Sequence, residues 1–379
     1  MKKKILLVQS NYPGFLKQFY GKTLNWERLG YRQLKNKWNK ELFGQADFYS
    51  KHLNKLGWKA EEIIINDFKM QSKWAGENNI KITQKPNWIS GMMPESIKNY
   101  LGLQGWSKKI FWSQVERMRP DVVYMHDLSI LSAEEVKRLK RMTKLVAGQI
   151  ACPLPLNKKS LTEYDLIISS FPHYVEMFRK MGIESEYLRW CFEKSIAKKE
   201  KPKERIYDVA FVGGFSPHHR KGNRIFENLA KKVKIDFWGY GVETLPLNSI
   251  IRKSYRGQAW GREMYEIFSK SKIVVNRHIG VAEGIANNMR MFEATGMGTL
   301  LITDDKPNME EFFETKKEVV TYKGERDLVS KVQYYLKHKA KREKIAKAGQ
   351  RKTLSKHTYK ARMKSLSKIL NKYLDKNDK

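Results

Sequence analysis

The sequence predicts two successive α/β domains, each built on a parallel sheet, followed by C-terminal helices. Three observations lead there. Short β-branched and aliphatic runs alternate with segments of helical spacing. That rhythm runs twice along the chain, and a charged, proline-containing stretch separates the two runs. The length of 379 residues, with 41% apolar content, suits two cores rather than one.

The first run opens with Lys4-Ile5-Leu6-Leu7-Val8, an apolar strand followed by Ser10-Asn11-Tyr12-Pro13-Gly14. Ligands of open parallel sheets sit at the carboxyl ends of strands, which singles out Asn11 and Gly14. Leu34 to Leu56 has helical spacing, and Glu61 to Ile65 is a second strand. Residues 70–119 break the rhythm: Trp74, Trp88, Trp106 and Trp112 stand among Gly, Pro, Lys and Ser, as in an insertion. Such aromatics stack on sugar rings, sit at a membrane interface, or pin an irregular loop to its own domain. Pro120 to Met125 is the next strand and delivers His126-Asp127 to its carboxyl end. Leu145 to Gln149 and Leu166 to Ser170 complete the first sheet, which closes near Trp190 and gives a first domain over 1–195.

Glu193 to Glu204, with Pro202, reads as a linker. The second domain, 196–358, restarts with a strand from Tyr207 to Val212 that runs into Gly213-Gly214 and a basic cluster, His218-His219-Arg220-Lys221. Paired glycines let backbone approach a phosphate, and the cations after them would neutralise it. The pattern is neither the dinucleotide fingerprint nor a P-loop. Ile235 to Gly241 is strand and turn, Gly261 to Ser269 a helix, and Glu318 to Tyr322 the last strand.

Lys272 to Asp304 organises this second half. Ile273-Val274-Val275 is a strand leading to Asn276, and Thr299 to Thr303 is another. Between them Asn287 or Asn288 can cap a helix that Gly296 and Gly298 stop. At about 100° per residue, Asn287, Arg290 and Glu293 share one arc of that helix, opposite Met289 and Phe292. A carboxylate, a guanidinium and a helix N-terminus together suit a phosphorylated ribose. The plainer alternative is an i,i+3 ion pair on a solvated surface. Beyond Asp327 the chain is helical. Over 359–379, Tyr359, Met363, Leu366, Ile369, Leu370, Tyr373 and Leu374 form a stripe ringed by lysines, which suits a helix docked on a core with a basic outer face.

Two cysteines, Cys152 and Cys191, have no metal-ligand spacing and read as small buried side chains. No run is long and apolar enough for a bilayer span, and the N-terminus lacks a signal-peptide pattern, so the expected location is the cytoplasm. The 74 basic and 40 acidic residues leave a net charge of +34. From Lys331 onward 17 Lys or Arg face three acids. Such a surface attracts nucleic acid, anionic headgroups or phosphorylated substrates.

Arg290-Met291-Phe292-Glu293-Ala294-Thr295-Gly296 resembles the R-x-F-E-A-x-G signature of GT-B-fold glycosyltransferases, particularly the CgeB-like (spore-maturation-protein-like) branch. The likeness extends through the FVGG loop, the SKIVVN strand and AGQRKTLSKHTYKARM, and more loosely to PDVVYMHDLSIL and YDLIISSFPHYV. The resemblance implies two Rossmann-like domains facing a central cleft, and transfer of a sugar from a nucleotide-diphosphate-sugar co-substrate. It implies a donor-binding set of Gly213, Gly214, Arg220, Lys221, Asn276, Asn287, Asn288, Arg290 and Glu293. Glu293 would take the ribose hydroxyls, and Arg220, Lys221 and Arg290 the diphosphate. His126 would touch the transferred sugar, with His126 or Asp127 as base or positioning group, and Asn11 and Gly14 on the acceptor side. The family's commoner pattern places a second glutamate eight positions before Glu293, where this chain has Ile285 and, nearby, Glu283, so the stereochemical outcome stays open.

No Asp-x-Asp occurs, and no cofactor or obligatory metal is expected. The expected acceptor is a glycan, a lipid-linked carrier or a protein, as in cell-envelope glycan assembly, and the basic tail suits peripheral contact with an anionic membrane. The alternatives are a catalytically silent sugar-nucleotide-binding protein and, on charge alone, a nucleic-acid-binding protein, for which no recognisable module is present.

Overall fold

The computed structural model describes residues 2–82, 105–155, 159–199, 204–216, 219–282 and 284–377. Trp88, Pro202, Pro217, His218 and Glu283 lie outside the described residues. The chain forms two compact units. The first comprises Met1–Glu41, Gln45–Arg189 and Met363–Lys379, and the second Leu42–Gly44 and Trp190–Arg362.

The first unit holds a six-stranded sheet of β1 (Lys4–Gln9), β2 (Lys59–Ile64), β3 (Val122–Met125), β4 (Leu145–Ile150), β5 (Leu166–Ser169) and β6 (Ser185–Tyr187), in the order β2-β1-β3-β4-β5-β6. All its pairings are parallel. The second unit's sheet has β7 (Tyr207–Gly214), β8 (Asp236–Tyr240), β9 (Ser271–Asn276), β10 (Leu300–Asp304) and β11 (Val320–Tyr322), in the order β11-β10-β9-β7-β8, again all parallel. The strands are continuous apolar runs because helices cover both faces of a parallel sheet. Ile5 to Val8, Val122 to Met125, Ile273 to Val275 and Leu300 to Ile302 are buried almost completely.

The two topologies are the same. In each unit the chain builds its second strand on one side of the first, then crosses over the first to build the third on its other side. The connections therefore diverge between β1 and β3 and between β7 and β9. Crevices at such switch points, outside the strands' carboxyl ends, are where α/β sheets bind ligands.

Several expectations need correction. The helical segment from Leu34 to Leu56 is two helices, Tyr31–Lys40 and Phe48–Asn54, because Leu42, Gly44 and Ala46 adopt left-handed backbone between them. The insertion is helical at both ends, Phe68–Glu77 and Gly105–Met118. Its Trp106 packs with Ala75 and Ile110, and Trp74 packs against that cluster, so these indoles serve the core. The linker begins as a helix, Lys194–Lys199, anchored by buried Ile196 and by Glu193, which accepts from the Ser195 hydroxyl at 2.6 Å.

The last helix, Tyr359–Asn377, turns its stripe inward. From Met363 on, Met363, Leu366, Leu370, Tyr373 and Leu374 are buried in the first unit. Trp58 Nε1 donates to Ser367 Oγ at 2.8 Å, and Lys372 and Lys376 pair with Glu186 and Glu184. Among the described residues no helix is long and apolar enough to cross a membrane. Leu370→Ala is expected to cost about 2–5 kcal/mol, read as a lower urea midpoint, against about 0.5 kcal/mol or less for exposed Lys364→Ala. Equal losses for the two variants would contradict burial of the stripe.

Candidate active site

At the β7/β9 switch point the second unit gathers most of the expected donor-binding residues. β9 ends in Asn276, which is buried and donates through Nδ2 to Thr303 Oγ1 on neighbouring β10 at 2.9 Å. Its Oδ1 accepts from Asn288 Nδ2 at 3.1 Å. Asn288 is the N-cap of the helix Met289–Gly296, its Oδ1 accepting from Met291 N at 3.2 Å. A single asparagine thus starts the helix and fixes it to the sheet. Asn287, just before it, is half-buried.

One turn into the helix, Arg290 and Glu293 form an ion pair at 2.5 Å. It is not the solvated surface pair of the plainer reading: the Glu293 side chain is only 7% exposed and that of Arg290 22%. The guanidinium lies 5.2 Å from the centre of the Phe268 ring and touches Met264 Sδ. Tyr265 hydrogen bonds to the carboxylate. Burial raises the Glu293 carboxyl above the ordinary range, against the opposing pull of Arg290 and Tyr265.

On β7, Gly213 and Gly214 are glycines for reasons of packing. A Cβ on Gly214 would lie 2.7 Å from the His219 ring and 2.9 Å from Tyr240. The chain crosses closely there, since a Cβ on Gly239, at φ +135°, would fall 1.7 Å from Gly213 O. The crowding groups are protein side chains and backbone. Arg220 and Lys221 occupy the first turn of the helix Arg220–Ala230, exposed and without an ion-pair partner among the described residues.

Sequence reasoning missed a further group at this sheet edge. His278, two residues past β9, is buried, and its backbone N–H and Nδ1 both reach Asp304 Oδ1, at 2.9 and 2.7 Å. Its Nε2 faces Met291 Sδ at 3.1 Å. Lys306 pairs with the other Asp304 oxygen at 3.1 Å. Burial alone would raise Asp304, but the His278 hydrogen bonds and the charges of His278 and Lys306 outweigh it and hold the carboxyl at about 2. The signal was present: Asp304 ends a legible strand and His278 follows another.

In the first unit His126 follows β3, and its backbone N–H donates to Val8 O of β1 at 2.9 Å. The ring stands edge-on to Tyr49 and Tyr124, with centroids 4.7 and 5.0 Å away. Both ring nitrogens are buried without a hydrogen-bond partner, and burial lowers the imidazole to about 3. Asp127 accepts from Ser10 Oγ at 3.1 Å and from Ser129 N and Oγ at 2.9 and 2.5 Å. Its carboxylate therefore ties the β1 loop to the β3 loop. Asn11 is stapled to Asn66 by backbone contacts of 3.0 and 2.8 Å, while its own Nδ2 is buried and unpartnered. Gly14 lies in the first turn of the helix Pro13–Lys22.

Residues 220–368 match a family described as glycosyl transferase-like. Solved structures resemble nearly the whole chain. A glycosyltransferase from Rickettsia africae is 12% identical, with a TM-score of 0.59 over 98% of this chain and 99% of that one. Sucrose-phosphate synthase from Thermosynechococcus elongatus is 11% identical, with a TM-score of 0.61 over 98% and 99%. Anabaena HepE, solved with UDP and glucose, is 10% identical, with a TM-score of 0.58 over 98% and 100%.

The fold is the GT-B fold of glycosyltransferases. The Arg290–Glu293 pair and the Asn288 cap fall inside the glycosyl transferase-like region of this GT-B chain. No curated protein matches it by sequence. Among the described residues no three His, Cys, Asp or Glu side chains are grouped to hold a metal ion.

Because folded Asp304 titrates near 2 and an unfolded aspartate near 3.8, the folded chain favours its ionised form. That stabilisation is complete above about pH 4 and is lost as pH falls through about 2. Asp304→Asn is expected to cost roughly 2 kcal/mol at pH 7 in chemical unfolding, the gap narrowing below pH 4. A gap equal at pH 7 and pH 3 would assign the loss to packing rather than charge.

Proposed function

We propose that the chain is a glycosyltransferase of the CgeB-like branch that moves a sugar from a nucleoside-diphosphate sugar to a hydroxyl acceptor, without an obligatory divalent metal. The observation that carries this reading is the buried Arg290–Glu293 pair on an Asn288-capped helix at the β7/β9 switch point. A buried carboxylate is costly unless its lone pairs are used. Arg290 and Tyr265 take some of them, and ribose hydroxyls are the natural donors to the remainder.

Arg220, Lys221 and the first turn of their helix supply positive charge for the diphosphate. In the reaction an acceptor oxygen bonds to the anomeric carbon, the bond from that carbon to the diphosphate oxygen breaks, and the acceptor's proton passes to a base. The diphosphate leaves with the negative charge, which these cations stabilise. His126, held near 3, is a weak base and a good neutral hydrogen-bonding group, which favours a positioning role on the sugar. The same reading places the protein in the cytoplasm, with a glycan, a lipid-linked carrier or a protein as acceptor and the basic surface available to an anionic membrane.

The test is thermal unfolding of the full-length protein with UDP, GDP, ADP and dTDP and their common sugar conjugates, in magnesium or in EDTA. UDP leads the panel because HepE was solved with it. A ligand at a hundred times its Kd adds about 2.7 kcal/mol, which a melting curve resolves. One nucleotide is expected to raise the Tm equally with and without magnesium, and Glu293→Ala to remove the rise while retaining the native circular dichroism spectrum. His126→Ala is expected to keep donor binding and lose transfer. A folded Glu293→Ala that binds the nucleotide unchanged would remove Glu293 from the donor site, and no shift with any nucleotide would sink the reading.

A further inference from the structure

The basic C-terminal region folds into two helices that use their charge differently. We propose that the outer face of the helix Lys339–Lys356, and not the last helix, is a docking surface for an anionic lipid bilayer, held by attraction to headgroups without insertion of apolar side chains. The proposal goes beyond the donor reading and does not depend on it.

The inner face of Lys339–Lys356 is fully committed. Ile345, Ala346, Gly349 and Thr353 are buried, the Thr353 and Thr295 hydroxyls bond at 2.6 Å, and Gln350 Nε2 donates to Gly296 O at 3.0 Å. Arg342 is buried too, its guanidinium donating to Tyr335 O at 2.7 Å and to Leu336 O at 3.1 Å. These contacts fix which way the helix faces. At about 100° per residue, Lys341, Lys344, Lys347 and Arg351 then fall within an arc of about 120° on the opposite side, along about 15 Å of helix. All four are exposed. Lys341 donates to the Tyr334 hydroxyl, while Lys344, Lys347 and Arg351 have no ion-pair partner among the described residues. The one acid of this helix, Glu343, lies outside the arc, near enough to Arg205 and Arg342 for its charge to act on theirs. The last helix differs, because Lys372 and Lys376 are matched by Glu186 and Glu184, and Asp375 takes Lys3 at 3.5 Å.

Ala340, Ala348 and Ser355 share the arc with the four cations, so nothing bulky holds the helix off a flat anionic surface. Such a cluster attracts anionic headgroups, by about fivefold in affinity for each cation near the surface. Tyr334, on the preceding helix, is 37% exposed, stacked on His338 with ring centres 3.9 Å apart and with Lys341 Nζ 5.2 Å from its own. An exposed phenol among cations suits headgroup depth. A nucleic acid would answer the same charge, but single strands are bound in grooves lined by stacking aromatics, and this face is a convex helix with alanines between its cations. Three of the four are lysines, which lack the planar fork that reads phosphodiester and base edges. Thr295 and Gly296 belong to the helix that carries Arg290 and Glu293, so a bilayer docked here would sit against the unit that holds the candidate donor site.

The experiment is co-sedimentation of the full-length protein with phosphatidylcholine vesicles, with and without phosphatidylglycerol, over a range of sodium chloride. Binding is expected only to vesicles that contain phosphatidylglycerol, and is expected to fall steeply as salt rises. Lys344→Gln combined with Lys347→Gln is expected to weaken it about thirtyfold, the loss of two cations. Lys364→Gln combined with Lys368→Gln, at exposed positions of the last helix, removes the same charge and is expected to leave binding within about twofold. Both double variants are expected to keep the native circular dichroism spectrum and melting temperature. Equal losses in the two double variants would assign the binding to net charge and overturn the proposal. So would no binding to phosphatidylglycerol, equal binding to phosphatidylcholine alone, or binding that survives high salt, which would mean apolar insertion. Tighter binding to a random-sequence DNA duplex than to the anionic vesicles, lost in the Lys344 and Lys347 variant, would overturn it in favour of nucleic acid.

Discussion

Much of the second unit depends on keeping the Glu293 carboxylate out of water. Moving that charge into the protein is unfavourable, and one guanidinium at 2.5 Å does not fully offset the cost, since burial still raises the carboxyl. The helix that carries the pair is itself fixed by a chain of polar contacts. Asn288 caps it, Asn276 holds Asn288, Thr303 holds Asn276, and the Tyr322 hydroxyl reaches Asn276 O at 3.3 Å. Three strands, β9, β10 and β11, are thereby linked to one helix N-terminus. Polar strain of this kind at a strand's carboxyl end is hard to explain by stability alone, because a hydrophobic pair would pack there without desolvation cost.

The shared topology explains why the candidate side chains of each unit cluster without being close in sequence. Each sheet sends its second and third strands to opposite sides of the first, so the loops after β1 and β3, and after β7 and β9, part from each other. Asn11 and His126 stand at one parting, Gly214 and Asn276 at the other. The strands fix the depth at which each side chain emerges, and the loop chemistry decides what it offers. Ser10, Asn66 and Asp127 are the ties that give the first unit's edge its shape.

The strands and the Asn288-capped helix were legible because each states its structure locally: a β-branched run, an asparagine before a helical arc, a glycine stop. Tertiary facts were not. The break at Leu42 to Ala46 takes positive φ at Leu42 and Ala46 as well as at Gly44, and at the two residues other than glycine no local preference announces it. The helix Gly105–Met118 was obscured by Trp106 and Trp112, which look like exposed stacking groups until the core they enter is known. The spacing placed Arg290 and Glu293 on one arc correctly, yet burial of the pair comes from Tyr265, Met264 and Phe268 on another helix. His278 with Asp304 escaped for the same reason, since 26 residues separate partners that β9 and β10 bring side by side.

The surplus of positive charge acts on a different scale from these short contacts. Part of it is spent internally, as in Lys372–Glu186 and Lys376–Glu184, whose lysines stay largely exposed and add little stability in water. Most of the Lys and Arg side chains among the described residues are exposed and cannot define a pocket. What +34 can do is raise the local concentration of a polyanion, and a nucleoside diphosphate is one. That attraction falls with ionic strength over a Debye length of about 8 Å in physiological salt, while the buried Glu293 contacts are screened much less. On the proposed reading, encounter and recognition are therefore separable: the surface would set how often an anionic donor arrives, and desolvated groups such as Glu293 would decide what is held.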